Sequence, residues 1–247
     1  ALAVRLAHFW FMRQNDPLFD VLLRGGDNHG YHRWGLEIAQ TFWLGWDRLP
    51  FTQGPLYPYF LGLAFLRFGS SYATAVLVQH VLGSCTCVLL FSLGRRVFGY
   101  FEAWIAALFA VFCPLFLLYE GEILAETLAV FVNVAALRLL LWAHDRQAPV
   151  NTESSTAERF FTRGENVPAA KRPRTWWRFL LAGIVLGLCV LGRPNALLFV
   201  PVAAFWILLA SPTWRSGWLA VGMVLLGTAL AIAPATAAFA ISTFPFR

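Results

Sequence analysis

Along the chain, long apolar runs alternate with short polar clusters, and the length of each run sets its reading. Residues 71–93, 100–119, 123–143 and 214–239 each reach the roughly 20 apolar residues that a helix needs to cross a bilayer. The stretch 176–211 is too long for one span and is interrupted by Gly192-Arg193-Pro194-Asn195. Proline breaks the helical hydrogen-bond ladder and arginine is costly at the bilayer centre, so two short helices joined by a tight turn are predicted. Residues 1–12 are apolar but too few to cross. The chain is expected to begin inside a first helix and, at Arg247, to stop just after one, as the front portion of a larger protein incomplete at both ends. The prediction is an all-α polytopic bundle of about seven membrane segments, the first partial, because only helices or closed barrels satisfy their backbone groups in lipid.

A long polar interval, residues 13–70, separates the first segment from the second. Within residues 31–46, Tyr31, Trp34, Ile38 and Phe42, with Leu36, Ala39 and Trp43, recur at steps of three and four. That is an amphipathic helix pattern, and its Trp and Tyr content suits a helix lying in the membrane interface. Asp27 stands just before it, where a carboxylate can cap the helix or face a cationic or hydroxylic ligand. A second helix, 56–68, has Pro55 and Pro58 at its head and is too short to span, so it is expected to lie along the surface or dip into it.

Composition agrees: 59% of residues are hydrophobic, 13% charged and 16% aromatic, outside the usual range of a soluble domain. One membrane domain covering 1–247 follows. Lys and Arg collect in 144–178, at Arg146, Arg159, Arg163, Lys171, Arg172, Arg174 and Arg178, which makes that polar loop cytoplasmic and flexible by the positive-inside rule. Counting helices puts Arg95, Arg96 and Arg215 on the same side. The Asp27 loop, the 120–126 turn and the Arg193 turn then face outward. The net charge of +6 is therefore a topology signal with attraction to anionic membrane lipids, and no nucleic-acid partner is expected. Cys85, Cys87, Cys113 and Cys189 lie within predicted spans without zinc or redox spacing and are read as packing residues.

Five short motifs in order carry a resemblance. They are Asp27 with Tyr31 and Ala39, Gln53-Gly54-Pro55-Leu56-Tyr57-Pro58, Gly94-Arg95-Arg96-Val97-Phe98-Gly99, Tyr119-Glu120-Gly121-Glu122-Ile123-Leu124-Ala125-Glu126 and Gly187-Leu188-Cys189-Val190-Leu191-Gly192-Arg193-Pro194-Asn195. Together they resemble the GT-C fold glycosyltransferases of the protein mannosyltransferase and aminoarabinose transferase type, over essentially the whole chain. The resemblance implies transfer of a sugar from a polyprenyl-phosphate carrier to a hydroxyl on a lipid, glycan or protein, outside the cytoplasm. It also implies a catalytic carboxylate in the first outer loop, by position Asp27. The side-by-side acidic pair of the eukaryotic protein mannosyltransferases is absent, because Asn28 follows Asp27. That points away from protein mannosylation and toward a bacterial-type member in the cytoplasmic membrane, with the acceptor unspecified.

The chemistry asks for such residues independently. A hydroxyl nucleophile must lose its proton as it attacks the anomeric carbon, which a positioned Asp accepts as general base. A departing phosphate needs a cation, and Arg193 is the candidate, with anchoring at the headgroups as its other reading. Glu122 and Glu126, read as one helix face, could bind a divalent metal, hold the acceptor or orient Asp27; a solvated helix end is the alternative. Tyr31, Arg33 and Tyr57 complete the candidate substrate contacts, with His29 and His32 read as polar contacts in the interface. A lipid-linked-sugar transporter or flippase is the competing class. It predicts inverted repeats and broken helices, neither of which the sequence displays.

Overall fold

The computed structural model describes residues 1–21, 26–41, 53–145 and 176–243, with side chains as far as residue 237. The expectations for Phe42, Trp43, Trp46 and the 146–175 part of the basic loop lie outside the described residues. Among those residues every regular element is helical: α1 (Leu2–Asn15), α2 (Asp27–Gln40), α3 (Leu56–Phe68), α4 (Tyr72–Val97), α5 (Tyr100–Phe112), α6 (Pro114–Gly121), α7 (Glu126–Asp145), α8 (Trp176–Gly192), a 3-10 turn (Pro194–Leu198), α9 (Phe199–Ala210) and α10 (Trp214–Thr243). Three helices, α4, α7 and α10, are each long and apolar enough to cross a membrane, and the bent pair α5 and α6 makes a fourth candidate. With 14, 17 and 12 residues, α1, α8 and α9 are shorter. The interruption at Gly192-Arg193-Pro194 divides 176–211 into two pieces as the proline predicts.

Three expectations need correction. The run 100–119 is not one straight helix: Pro114 has no N–H to continue the ladder, Cys113 before it is extended, and α5 and α6 meet at 46°. One broken helix is therefore present where the sequence reading saw none. The run 123–143 starts late, since Glu122 is extended and α7 begins only at Glu126, leaving residues 122–125 as an irregular link closed by a Leu124 N–H to Glu122 C=O bond of 2.9 Å. The amphipathic helix expected at 31–46 instead occupies Asp27–Gln40, with Gly26 extended at its head and the Asp27 carboxylate in its positively polarised first turn. Asp27 is thus the first helical residue and makes no side-chain cap.

Helices α2 and α3 lie almost in contact, because a Cβ on Gly62 would stand 2.5 Å from Ile38 Cγ2. Their aromatic rings complete the seam, Tyr31 meeting Tyr57 edge-on at 4.8 Å. Tyr57, Leu61, Val76, Ile123, Phe179, Ile207 and Val224 form the fully buried interior, while Phe101, Phe109, Leu209 and Leu219 project outward. Large apolar side chains on the outside are what a bundle solvated by hydrocarbon requires.

The bundle has two chemically distinct ends. At one, Arg96 Nε donates to Asp145 Oδ2 at 2.9 Å, and the Arg178 guanidinium lies 4.0 Å from the ring centre of Trp142. Those residues belong to the C-terminal ends of α4 and α7 and the start of α8. The starts of α4 and α7 and the end of α8 are consequently together at the opposite end, where Asp27, Glu126 and Arg193 gather.

Candidate active site

The site is built from three separate stretches of chain. Asp27, opening α2, accepts a 2.7 Å hydrogen bond from Gln53 Nε2. The next residue, Gly54, presses its backbone against the end of α8: a Cβ there would lie 2.3 Å from the Gly192 carbonyl oxygen and 2.6 Å from that of Leu191. Only glycine fits that approach, so Gln53-Gly54 joins the Asp27 helix to the Arg193 turn. Arg193, extended at the head of the 3-10 turn, ion-pairs with Glu126 Oε1 at the start of α7. Both side chains stay partly exposed, at 52% for Arg193 and 31% for Glu126, so the pair can exchange partners with a ligand. Among the described residues Glu126 Oε2 has no hydrogen-bond partner.

Tyr31, one turn along α2 from Asp27, lies within electrostatic reach of all three charged groups. Burial pushes its phenol above the ordinary value, with Asp27 and Glu126 adding to that rise and Arg193 opposing it. It stays protonated at neutral pH, as a hydroxyl able to donate. Asp27, Tyr31, Glu126 and Arg193 are therefore the predicted site residues that converge.

The others do not join them. Arg33 is exposed and faces Glu37 one turn along, at 3.6 Å. Tyr57 is wholly buried and its hydroxyl donates to Gln79 Oε1 at 2.6 Å. Glu122 lies in the irregular link, not on a helix with Glu126, so the shared helical face expected for the two is lost; its Oε2 accepts from the Tyr72 hydroxyl at 3.3 Å. Of the two histidines, His32 has its Nε2 3.3 Å from the Ser70 carbonyl oxygen. Among the described residues no three His, Cys, Asp or Glu side chains group to hold a metal ion.

Beneath the site is a buried polar layer that sequence reasoning missed. Arg5 of α1 reaches Glu120 of α6 through two bonds, Nε to Oε2 at 2.7 Å and Nη2 to Oε1 at 2.8 Å, with His80 Nδ1 3.4 Å from Oε2. Gly83 makes room for the carboxylate, since a Cβ there would stand 2.0 Å from Glu120 Oε1. Gln79, one residue before His80, donates through Nε2 to the backbone carbonyls of Glu120 at 3.1 Å and Glu122 at 2.7 Å. The available signal was an ionisable or amide side chain inside an apolar run, which is expensive unless paired.

A family model described as Dolichyl-phosphate-mannose-protein mannosyltransferase matches residues 52–151. The match takes in Gln53, Tyr57 and the 120–126 link, and stops short of Asp27 on one side and Arg193 on the other. The chain is similar to that family over this segment, in agreement with the resemblance read from its motifs, and the match supports a membrane glycosyltransferase of GT-C type. No curated protein matches the chain.

Proposed function

We propose that this chain is the catalytic membrane part of a transferase that moves a sugar from a polyprenyl-phosphate carrier to a hydroxyl acceptor on the outer face of a bacterial cytoplasmic membrane. The observation that carries this reading is the meeting of a carboxylate, Asp27, and a half-exposed arginine, Arg193, through Gln53-Gly54, at the end of the bundle away from Arg96 and Arg178. A general base and a phosphate-binding cation are the two groups the reaction needs.

In the proposed step the acceptor oxygen attacks the anomeric carbon while its proton passes to the Asp27 carboxylate. The bond from the anomeric carbon to the phosphate oxygen breaks, and its electron pair leaves with the polyprenyl phosphate. A single displacement inverts the anomeric centre. The phosphate gains charge as the sugar departs, so a cation beside it stabilises the transition state more than the ground state. Arg193 supplies that cation by exchanging Glu126 for the phosphate, and Glu126 keeps the guanidinium aligned before the donor arrives. Tyr31 donates its hydroxyl to the donor or the sugar. Arg33, Glu122 and Tyr57, each engaged elsewhere, take no direct part in this reading.

The test is incubation of membranes holding the intact protein with a panel of polyprenyl-phosphate sugars, following release of polyprenyl phosphate and appearance of sugar on lipid, glycan and protein acceptors. Transfer lost in Asp27→Asn supports the reading. Movement of an intact labelled donor across the bilayer without cleavage would instead establish the transporter, and absence of both would refute either.

A further inference from the structure

Gln79 is the least expected residue of α4, an amide in the interior of a membrane-spanning helix with no exposed surface. Its hydrogen bonds fix which way the amide points. The carbonyls of Glu120 and Glu122 can only accept and so face Nε2, which leaves Oε1 to accept from the Tyr57 hydroxyl. The Glu120 carbonyl, near the end of α6, is left without a helical donor by the break at 122–125 and would be costly unpaired in a low-dielectric interior, while the Glu122 carbonyl already accepts the Leu124 N–H and takes a second bond from Gln79. One amide donates to both.

Each of these bonds also leads to the candidate site. The link 122–125 runs directly into Glu126, the partner of Arg193, and is pinned on its other side by Thr127 Oγ1 donating to the Tyr119 carbonyl at 3.2 Å. Tyr57 leads to α2, since its ring meets Tyr31 edge-on at 4.8 Å and Tyr31 is one turn from Asp27. Neither Gln79 nor Tyr57 reaches the surface, so neither can touch a substrate.

We propose that Gln79 and Tyr57 are positioning residues, one hydrogen-bonded device that sets the Glu126 and Arg193 side of the site in register with the Asp27 side. The inference rests on the transferase reading for its catalytic consequence, while the mechanical link stands on the geometry alone. Displacing a reacting group by about 1 Å costs about 10²-fold in rate. Loosening either bond therefore lowers turnover without removing any group that meets the substrate.

The experiment compares the intact wild-type protein in nanodiscs with Tyr57→Phe, Gln79→Met and the double variant. Tyr57→Phe keeps the ring and removes a single bond, so it serves if Gln79→Met fails to fold. Each single variant should lower kcat per folded protein about ten- to a hundredfold, with donor KM within about twofold of wild type, and the melting temperature should fall less in Tyr57→Phe, which loses one bond, than in Gln79→Met, which loses three. The double variant should be no slower than the Gln79→Met protein, because both changes break one device. Backbone hydrogen exchange should rise in residues 27–40 and 122–128 in the variants. Wild-type turnover and exchange in folded single variants would overturn the proposal, as would a kcat loss that only follows the folded fraction. If the wild-type protein transfers no sugar from any donor, the transferase reading fails by itself. Exchange in the two segments then decides the link, raised in the variants if it exists and unchanged if it does not.

Discussion

Replacing Glu120 by Gln tests whether the Arg5 to Glu120 pair holds the bundle together. The Arg5 side chain is fully buried and Glu120 nearly so, and the two share two bonds of 2.7 and 2.8 Å. Removing one partner of a buried pair costs about 3–5 kcal/mol, because the other charge stays in a low-dielectric interior. Gln keeps a carbonyl that can accept one of the two Arg5 bonds, which puts the expected loss near the low end, about 3 kcal/mol. For a chain of this size each kcal/mol moves the melting point by about 2–4 °C, so a drop of roughly 10 °C is expected. The assay is intrinsic fluorescence melting of the intact protein in nanodiscs. The double change Arg5→Met with Glu120→Leu removes both charges and should recover most of the loss, since a buried ion pair replaced by apolar groups of similar volume is often close to neutral. An unshifted melting point in Glu120→Gln, or a double variant less stable than either single one, would refute the reasoning.

Three further outcomes are expected. Asp27→Asn retains a side-chain oxygen for Gln53 but no basic carboxylate, so transfer should fall about 10²- to 10⁴-fold at unchanged melting temperature; full transfer in a folded variant removes Asp27 as the base. Arg193→Ala should raise donor KM and lower kcat, with Arg193→Lys restoring only part because a point charge lacks the guanidinium fork; carrier kinetics equal to wild type would make Arg193 an interface anchor. Burial holds the His32 imidazole below its ordinary value, with the Ser70 contact opposing. Its neutral form is thus favoured in the fold, and the stability it contributes is full above the ordinary imidazole value and lost as pH falls through the depressed one. Protection factors in α2, corrected for the slowing of intrinsic amide exchange in acid, should accordingly fall on acidification below the ordinary value, and less so in His32→Gln; equal pH response in both proteins contradicts that assignment.

The helical class was legible because apolar run length is a direct measure of what a bilayer accepts, and the split of 176–211 because Pro194 states its own effect on the ladder. The break at Cys113-Pro114 carried the same signal, yet the continuous apolar run over 100–119 masked it. Asp27 and Arg193 were nominated by resemblance and topology, and their approach could not be read from spacing. It depends on a glycine at 54 lying against the carbonyl of Gly192, a contact between segments far apart in sequence. Pattern failed most at Glu122 and Glu126. A four-residue step implies one face only if the helix is continuous, and here the helix begins at the second of the two residues.

That failure and the missed polar layer have one physical origin. In lipid the outward face of a helix is as apolar as its core, so periodicity no longer separates inside from outside. The information moves to the exceptions. Arg5, Gln79, His80 and Glu120 interrupt apolar runs, and all four are buried in the structure. A helix that stops at Gly121 and restarts at Glu126 leaves the buried Glu120 carbonyl without a helical donor, so a neighbouring helix that carries one at that depth is favoured. Gln79 is that donor, and the charge on Glu120 beside it requires Arg5 in turn. The break turns the chain so that Glu126 opens α7 at the end of the bundle where Arg193 and Asp27 stand, with its buried polar partners following as a consequence.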